Sequence, residues 1–144
     1  MSKADQAVAC FNEGFCCSQA VLATYCEPFG LDRDTGLRLS GSFCGGMGGL
    51  GEVCGAVAGA FMVLGLEYAR ADADDRRAKE EVSAKVRQFA ERFKARNSSI
   101  ICRDLLGCDL TTPEGRRYMK DNNLRATVCE KMVRIAAEIL EELT

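Results

Sequence analysis

The chain has 144 residues, 47% hydrophobic and 28% charged, and its 19 basic and 21 acidic side chains leave a net charge of −2. That length suits one domain with a real core, and the near-neutral, mixed charge points to neither a nucleic-acid partner nor membrane insertion. Nine cysteines and no histidine exclude Ser-His-Asp and Cys-His nucleophile chemistry, histidine-ligated zinc and a haem with a proximal histidine.

The opening MSKADQ passes into an amphipathic pattern with no apolar h-region, so a cytoplasmic location is expected. Ser2 and Asp5 resemble a capping box, and Ala4, Ala7, Val8, Phe11 and Phe15 recur at helical spacing, with Gly14 interrupting. A second helix is predicted from about Cys16. Its Cys17, Ala20, Val21, Thr24 and Tyr25 share one face, and Pro28 and Gly30 end it. Residues 32–40 can hold only a short helix.

Gly41–Leu66 is the stretch around which the rest is organised. Glycines at 41, 45, 46, 48, 49 and 51 rule out regular structure there. The apolar run Val53–Leu66, between Glu52 and Glu67, is shorter than the roughly 20 residues a bilayer requires and reads as a helix buried all round. Gly55 and Gly59, with Ala56 and Ala60, leave two nearly bare ridges where neighbouring helices can approach closely. Cys54 stands at the start of this helix, where unpaired N–H groups and the helix dipole favour a thiolate. The alternative for Cys54 is a small apolar filler.

A long charged helix is predicted from Asp72–Asp75 to Arg96. Its core stripe is Val82, Val86, Phe89, Ala90 and Phe93, and its other positions form a solvated face. A short helix with Cys102, Leu105 and Leu106 stops at Gly107. Thr112–Pro113–Glu114 opens another, ending near Asn122–Asn123. The last helix carries Val128, Met132, Ile135, Ala136, Ile139, Leu140 and Leu143 on one face, with Cys129 in its first turn. No run alternates with period two, and no repeat is apparent. The expected fold is all-α: one domain over residues 1–144, a helical bundle with a buried Gly/Ala-rich central helix.

Cys17, Cys54, Cys102 and Cys129 thus all fall in the first turn of a predicted helix. If those helix starts cluster, one end of the bundle gathers four sulfurs among positive dipole ends, suited to redox thiolates or to metal ligation. No pair has CxxC spacing, so the thioredoxin-type motif is missing and any site is assembled by tertiary folding. The odd cysteine count argues against a purely structural disulfide framework.

Cys54-Gly55-Ala56-Val57-Ala58-Gly59 is a CGAxxG motif. With it stand Gly14-x-x-Cys17-Ser18-Gln19-Ala20-Val21, Phe43-x-Gly45-Gly46-Met47-Gly48, Cys102-x-x-Leu105-Leu106-Gly107 with Asp109-Leu110, Thr112-Pro113-Glu114-Gly115, and Cys129. From Ala7 to its C-terminus the chain resembles the C_GCAxxG_C_C family of redox-active proteins. The resemblance implies four characteristic cysteines, here Cys17, Cys54, Cys102 and Cys129, and a redox role. The chain departs from the pattern at Cys16, where asparagine is common, and at Cys44, where glycine is usual. Both are therefore accessory candidates, Cys44 as a resolving thiol or an extra ligand. Cys10, Cys26 and Cys108 read as buried or incidental thiols.

Three functions stay open. In the first, Cys17, Cys54, Cys102 and Cys129 ligate zinc or a small iron–sulfur cluster for electron transfer. In the second, pairs of them cycle in thiol–disulfide exchange with a redox partner. The third is a non-catalytic helical module with packing cysteines, self-associating through an apolar face. Gly45, Gly46, Gly48 and Gly55 are the candidate cofactor-binding glycines, and a weaker idea places an anion on the glycine loop before the helix start.

Overall fold

In a computed structural model describing residues 1–144, the apolar periodicities become eight α-helices and no β-strand. They are α1 (Lys3–Asn12), α2 (Cys17–Tyr25), α3 (Arg33–Ser40), α4 (Gly55–Tyr68), α5 (Arg76–Asn97), α6 (Cys102–Leu106), α7 (Pro113–Asp121) and α8 (Glu130–Leu143). The fold is all-α, as expected. Side-chain caps open four of the helices: Ser2, Asp32, Asp75 and Thr112 each accept a backbone N–H three residues on, which satisfies a donor the helix cannot.

The central helix is buried all round only over its first turns. Gly55 to Ala60 are buried, whereas Phe61, Met62 and residues 65–68 are half-exposed. α8 shares the centre, burying Met132, Val133, Ile135, Ala136, Ala137, Ile139, Leu140 and Leu143. It packs against α1, α2, α4 and α5. α5 is a flank, since only Ala78, Phe89 and Phe93 are buried, and Val82, Val86 and Ala90 are half-exposed. Its charged face is not wholly given to solvent, because Arg92 and Arg96 pair with Glu142 and Glu138 of α8 at 3.0 and 2.9 Å.

Three local features set the geometry of the thiol-bearing end. First, Gly45, Gly46, Met47, Gly48 and Gly49 run consecutively at φ between +57° and +79°. Each such residue costs a side-chain-bearing position about 1–2 kcal/mol, and glycine fills all but one of the five. The loop closes with Gly51 N–H on the Gly45 carbonyl (3.1 Å) and Glu52 N–H on that of Gly46 (2.9 Å).

Second, a single antiparallel bridge joins Val53 to Ile101. Around it Cys54 N–H donates to the Ile100 carbonyl at 2.7 Å, and Cys102 N–H to that of Glu52 at 2.6 Å. The starts of α4 and α6 are thereby tied side by side. Third, the chain enters α8 through a π-helical turn, Arg125–Cys129. Cys129 therefore ends that turn and does not lie in the first turn of its helix, contrary to the expectation from sequence.

Candidate redox site

Cys17, Cys54, Cys102 and Cys129 all line one small cavity of about 90 Å³, together with Cys16, Gly45, Gly46 and Gly55. Leu105, Leu106, Leu110, Met119, Val128 and Met132 make its walls mainly apolar, and Arg125 is its one charged side chain. Gly48 does not line it. Of the nine cysteines, Cys54 and Cys102 are buried beside the cavity, while Cys17 and Cys129 are half-buried.

Each cysteine is held by its own element. Cys17 opens α2 and Cys102 opens α6, while Cys54 is the cap residue before α4. α2 and α4 cross at their first turns because α4 is bare there. A Cβ on Gly59 would lie 2.7 Å from the Ser18 carbonyl oxygen, and one on Gly55 would lie 3.3 Å from the Cys17 Cβ. Gly46 passes just as closely beside Cys102, since a Cβ there would come within 2.6 Å of the Cys102 Cβ.

The electrostatics separate the four thiols. Burial pushes Cys54 up to about 11, although the N–H groups of Ala56 and Val57 at the helix start pull the other way. Burial likewise pushes Cys102 up to about 12, helped by the neighbouring Cys54 and Cys129 sulfurs. The helix-start thiolate expected at Cys54 is thus outweighed by desolvation. Cys129 behaves oppositely: a hydrogen bond from the Cys17 thiol holds it below the ordinary thiol range, and the Arg125 charge adds to this. The same hydrogen bond raises Cys17, followed by burial. The two thiols titrate as a pair, and the direction favours the anion on Cys129 and the proton on Cys17.

Arg125 is a site residue that the sequence alone does not single out. Its guanidinium lies 3.8 Å over the Phe11 ring and donates to the carbonyls of Phe11 (2.6 Å) and Phe15 (3.0 Å), which fixes a positive charge beside the cavity. The available signal was its place four residues before Cys129, a spacing that puts both on one helix face.

The accessory pair also has a definite place. Cys16 and Cys44 are joined in a disulfide across 28 residues, with Cα atoms 5.7 Å apart. The remaining thiols are dispersed. Cys10 accepts from Arg33 at 3.7 Å, Cys26 is buried under α3, and half-buried Cys108 packs near Cys102.

A model of the family described as "Putative redox-active protein (C_GCAxxG_C_C)" matches residues 15–143. The chain belongs to the C_GCAxxG_C_C family. Neither a curated protein nor a solved structure matches it. The structure gives physical reasons for much of the C_GCAxxG_C_C pattern in this chain. Gln19 ties the start of α2 down, accepting from Cys16 N–H and donating to the Leu37 carbonyl, both at 3.0 Å. Ser18, fully buried, donates to the Ser40 carbonyl at 2.8 Å. At Gly115 any Cβ would collide with the Asp109 carbonyl.

An all-sulfur donor set is chemically suited to zinc or a small cluster. As placed, however, no three Cys, Asp or Glu side chains are arranged to hold one ion, so the residues do not fit a closed metal site. The N–H groups of Ala56 and Val57, which an anion would need, are directed at the Cys54 sulfur. No helix is long and apolar enough to cross a membrane.

Proposed function

We propose that this member of the redox-active C_GCAxxG_C_C family is a thiol–disulfide oxidoreductase in which Cys129 attacks and Cys17 resolves. The observation that carries this reading is the convergence of Cys17 and Cys129 on one apolar cavity whose single charged side chain is Arg125; the electrostatics favour the anion on Cys129 and the proton on Cys17. The Cys129 thiolate attacks one sulfur of a substrate disulfide, forming a mixed disulfide and expelling the first substrate thiolate. Cys17 then gives up its proton and attacks the Cys129 sulfur. A Cys17–Cys129 disulfide forms, and the second substrate thiolate leaves. Two electrons pass to the substrate, and its two thiolates take one proton from Cys17 and one from solvent. The apolar walls favour a disulfide flanked by apolar groups, and the buried Cys54 and Cys102 thiols act as neutral neighbours. A reducing, cytoplasmic setting suits such cycling.

The test uses a Cys16→Ser/Cys44→Ser background, shown by circular dichroism to be folded, and an aromatic disulfide as probe. The fast phase should release two aromatic thiols per chain. With Cys17→Ser added it should release one and retain a mixed disulfide at Cys129, and with Cys129→Ser it should vanish. An undiminished fast phase without Cys129 would remove the proposal. So would stoichiometric, cysteine-dependent iron or zinc in protein purified without oxygen.

A further inference from the structure

The Cys16–Cys44 disulfide is placed among free thiols. Cys16 lines the same cavity as Cys17 and Cys129, whereas Cys44 is not among the lining residues. Of the two halves of the disulfide, Cys16 is therefore the one that borders the cavity, and attack from that side would leave Cys44 as the leaving group. Both sulfurs also have acceptors for the protons they would gain. Cys44 Sγ lies 3.1 Å from the Gly41 carbonyl oxygen, and Cys16 Sγ lies 3.3 Å from Ser18 Oγ. Ser18 is held by its own bond to the Ser40 carbonyl. The reduced pair would thus find hydrogen-bond partners in place, with no buried thiol left unsatisfied.

We propose that Cys16–Cys44 is a second redox couple, exchanging electrons with Cys129 and Cys17 inside the same chain. The step rests on the reading of Cys129 as the attacking thiolate. Cys129 Sγ bonds to Cys16 Sγ while the Cys16–Cys44 bond breaks and its electron pair goes to Cys44, which takes up a proton from solvent. Cys17, losing its proton, then attacks Cys129 Sγ, and the electron pair of the Cys16–Cys129 bond goes to Cys16, which is protonated in turn. Two electrons have moved from Cys17/Cys129 to Cys16/Cys44 without an outside oxidant or reductant. Because Cys44 leads into the glycine loop and Cys16 caps α2, the couple also decides whether the loop is covalently tied to the start of that helix.

The experiment follows Cys17→Ser protein carrying the Cys16–Cys44 bond, kept without oxygen or added thiol, then acid-quenched, alkylated and peptide-mapped. With the resolving thiol gone, a Cys16–Cys129 link should accumulate. Cys44 should become alkylated in one-to-one proportion, at a rate independent of protein concentration. Wild-type protein, followed in the same way, should lose the Cys16–Cys44 link as a Cys17–Cys129 link appears, which covers the case of a variant that does not fold. Persistence of Cys16–Cys44 in both proteins overturns the relay. If Cys129 in those samples still reacts with an aromatic disulfide, only the relay fails. If it is inert to that probe too, the oxidoreductase reading falls with it.

Discussion

At the scale of single residues, the site is a contest between desolvation and local charge, and its outcome differs from thiol to thiol. Cys54 has the helix start but is buried with no opposite charge beside it, so it keeps its proton to about 11. Cys129 lacks the helix start but has the Cys17 proton and Arg125, and falls below the ordinary range. Cys129 should therefore be alkylated first at neutral pH, with Cys54 and Cys102 lagging until the medium is strongly alkaline. Arg125 is a positioning residue in this scheme, acting through the Cys129 sulfur. Arg125→Met should slow Cys129 labelling at pH 7 by a few-fold to about tenfold, since a tenfold loss corresponds to one pKa unit or about 1.4 kcal/mol. Arg125→Lys should recover most of the rate. Above pH 9 the three proteins should converge, because the thiolate is then populated without help. Equal labelling rates at pH 7 in Arg125→Met and wild type would show that the guanidinium only braces Phe11 and Phe15.

At the scale of elements, the crossing of α2 on α4 places Cys17 beside the start of α4, and Gly59 permits it. In an open helix, replacing glycine by alanine gains up to about 1 kcal/mol. Here the added methyl meets the Ser18 carbonyl at 2.7 Å and the Val21 Cβ at 3.1 Å, and overpacking costs about 1–3 kcal/mol. Gly59→Ala is thus expected to lose stability by up to about 2 kcal/mol in chemical denaturation, and to slow formation of a Cys17–Cys129 disulfide by displacing α2. A stabilised variant would mean that the crossing is looser than a 2.7 Å approach to the Ser18 carbonyl requires. The bare Gly55–Gly59 ridge was legible in the sequence because i, i+4 spacing is a local property of one helix. Helix existence, the caps at Ser2 and Thr112, and the glycine loop were legible for the same reason. The Val53–Ile101 bridge was not, since one residue pair leaves no period-two pattern. The π turn was not either, because one more residue in a turn changes no composition; the shift of Cys129 out of the first turn followed from it. The Cys16–Cys44 pairing lies across 28 residues and depends on how α2, α3 and the loop pack.

For the molecule as a whole, protons held by buried thiols link the site to global stability. In the unfolded chain a cysteine ionises near 9.0, while in the folded protein Cys54 and Cys102 wait until about 11 and about 12. Below pH 9 both states carry these protons and the two thiols leave stability unchanged. Above it the unfolded state releases them while the folded state retains them, so stability falls as pH rises from about 9 through 11. Two such groups give a slope of up to about 2–3 kcal/mol per pH unit within that window. Tyr25, raised by burial and by its hydrogen bond to Glu141, adds in the same direction above pH 10. Cys129 opposes, because its folded pKa is depressed, and its contribution grows with pH below 9 and is complete once the unfolded thiol ionises there; its partner Cys17, raised by the same interaction and by burial, adds to the loss above pH 9. Denaturant midpoints measured with reductant and without oxygen should thus hold level or rise slightly from pH 7 to 8.5. They should then drop steeply by pH 10.5, and Cys54→Ala should show a shallower drop than wild type from its own neutral-pH value. A midpoint unchanged through pH 10.5 would mean that Cys54 and Cys102 are solvated in the native state, and the dry, apolar cavity on which the division of roles depends would be lost with them.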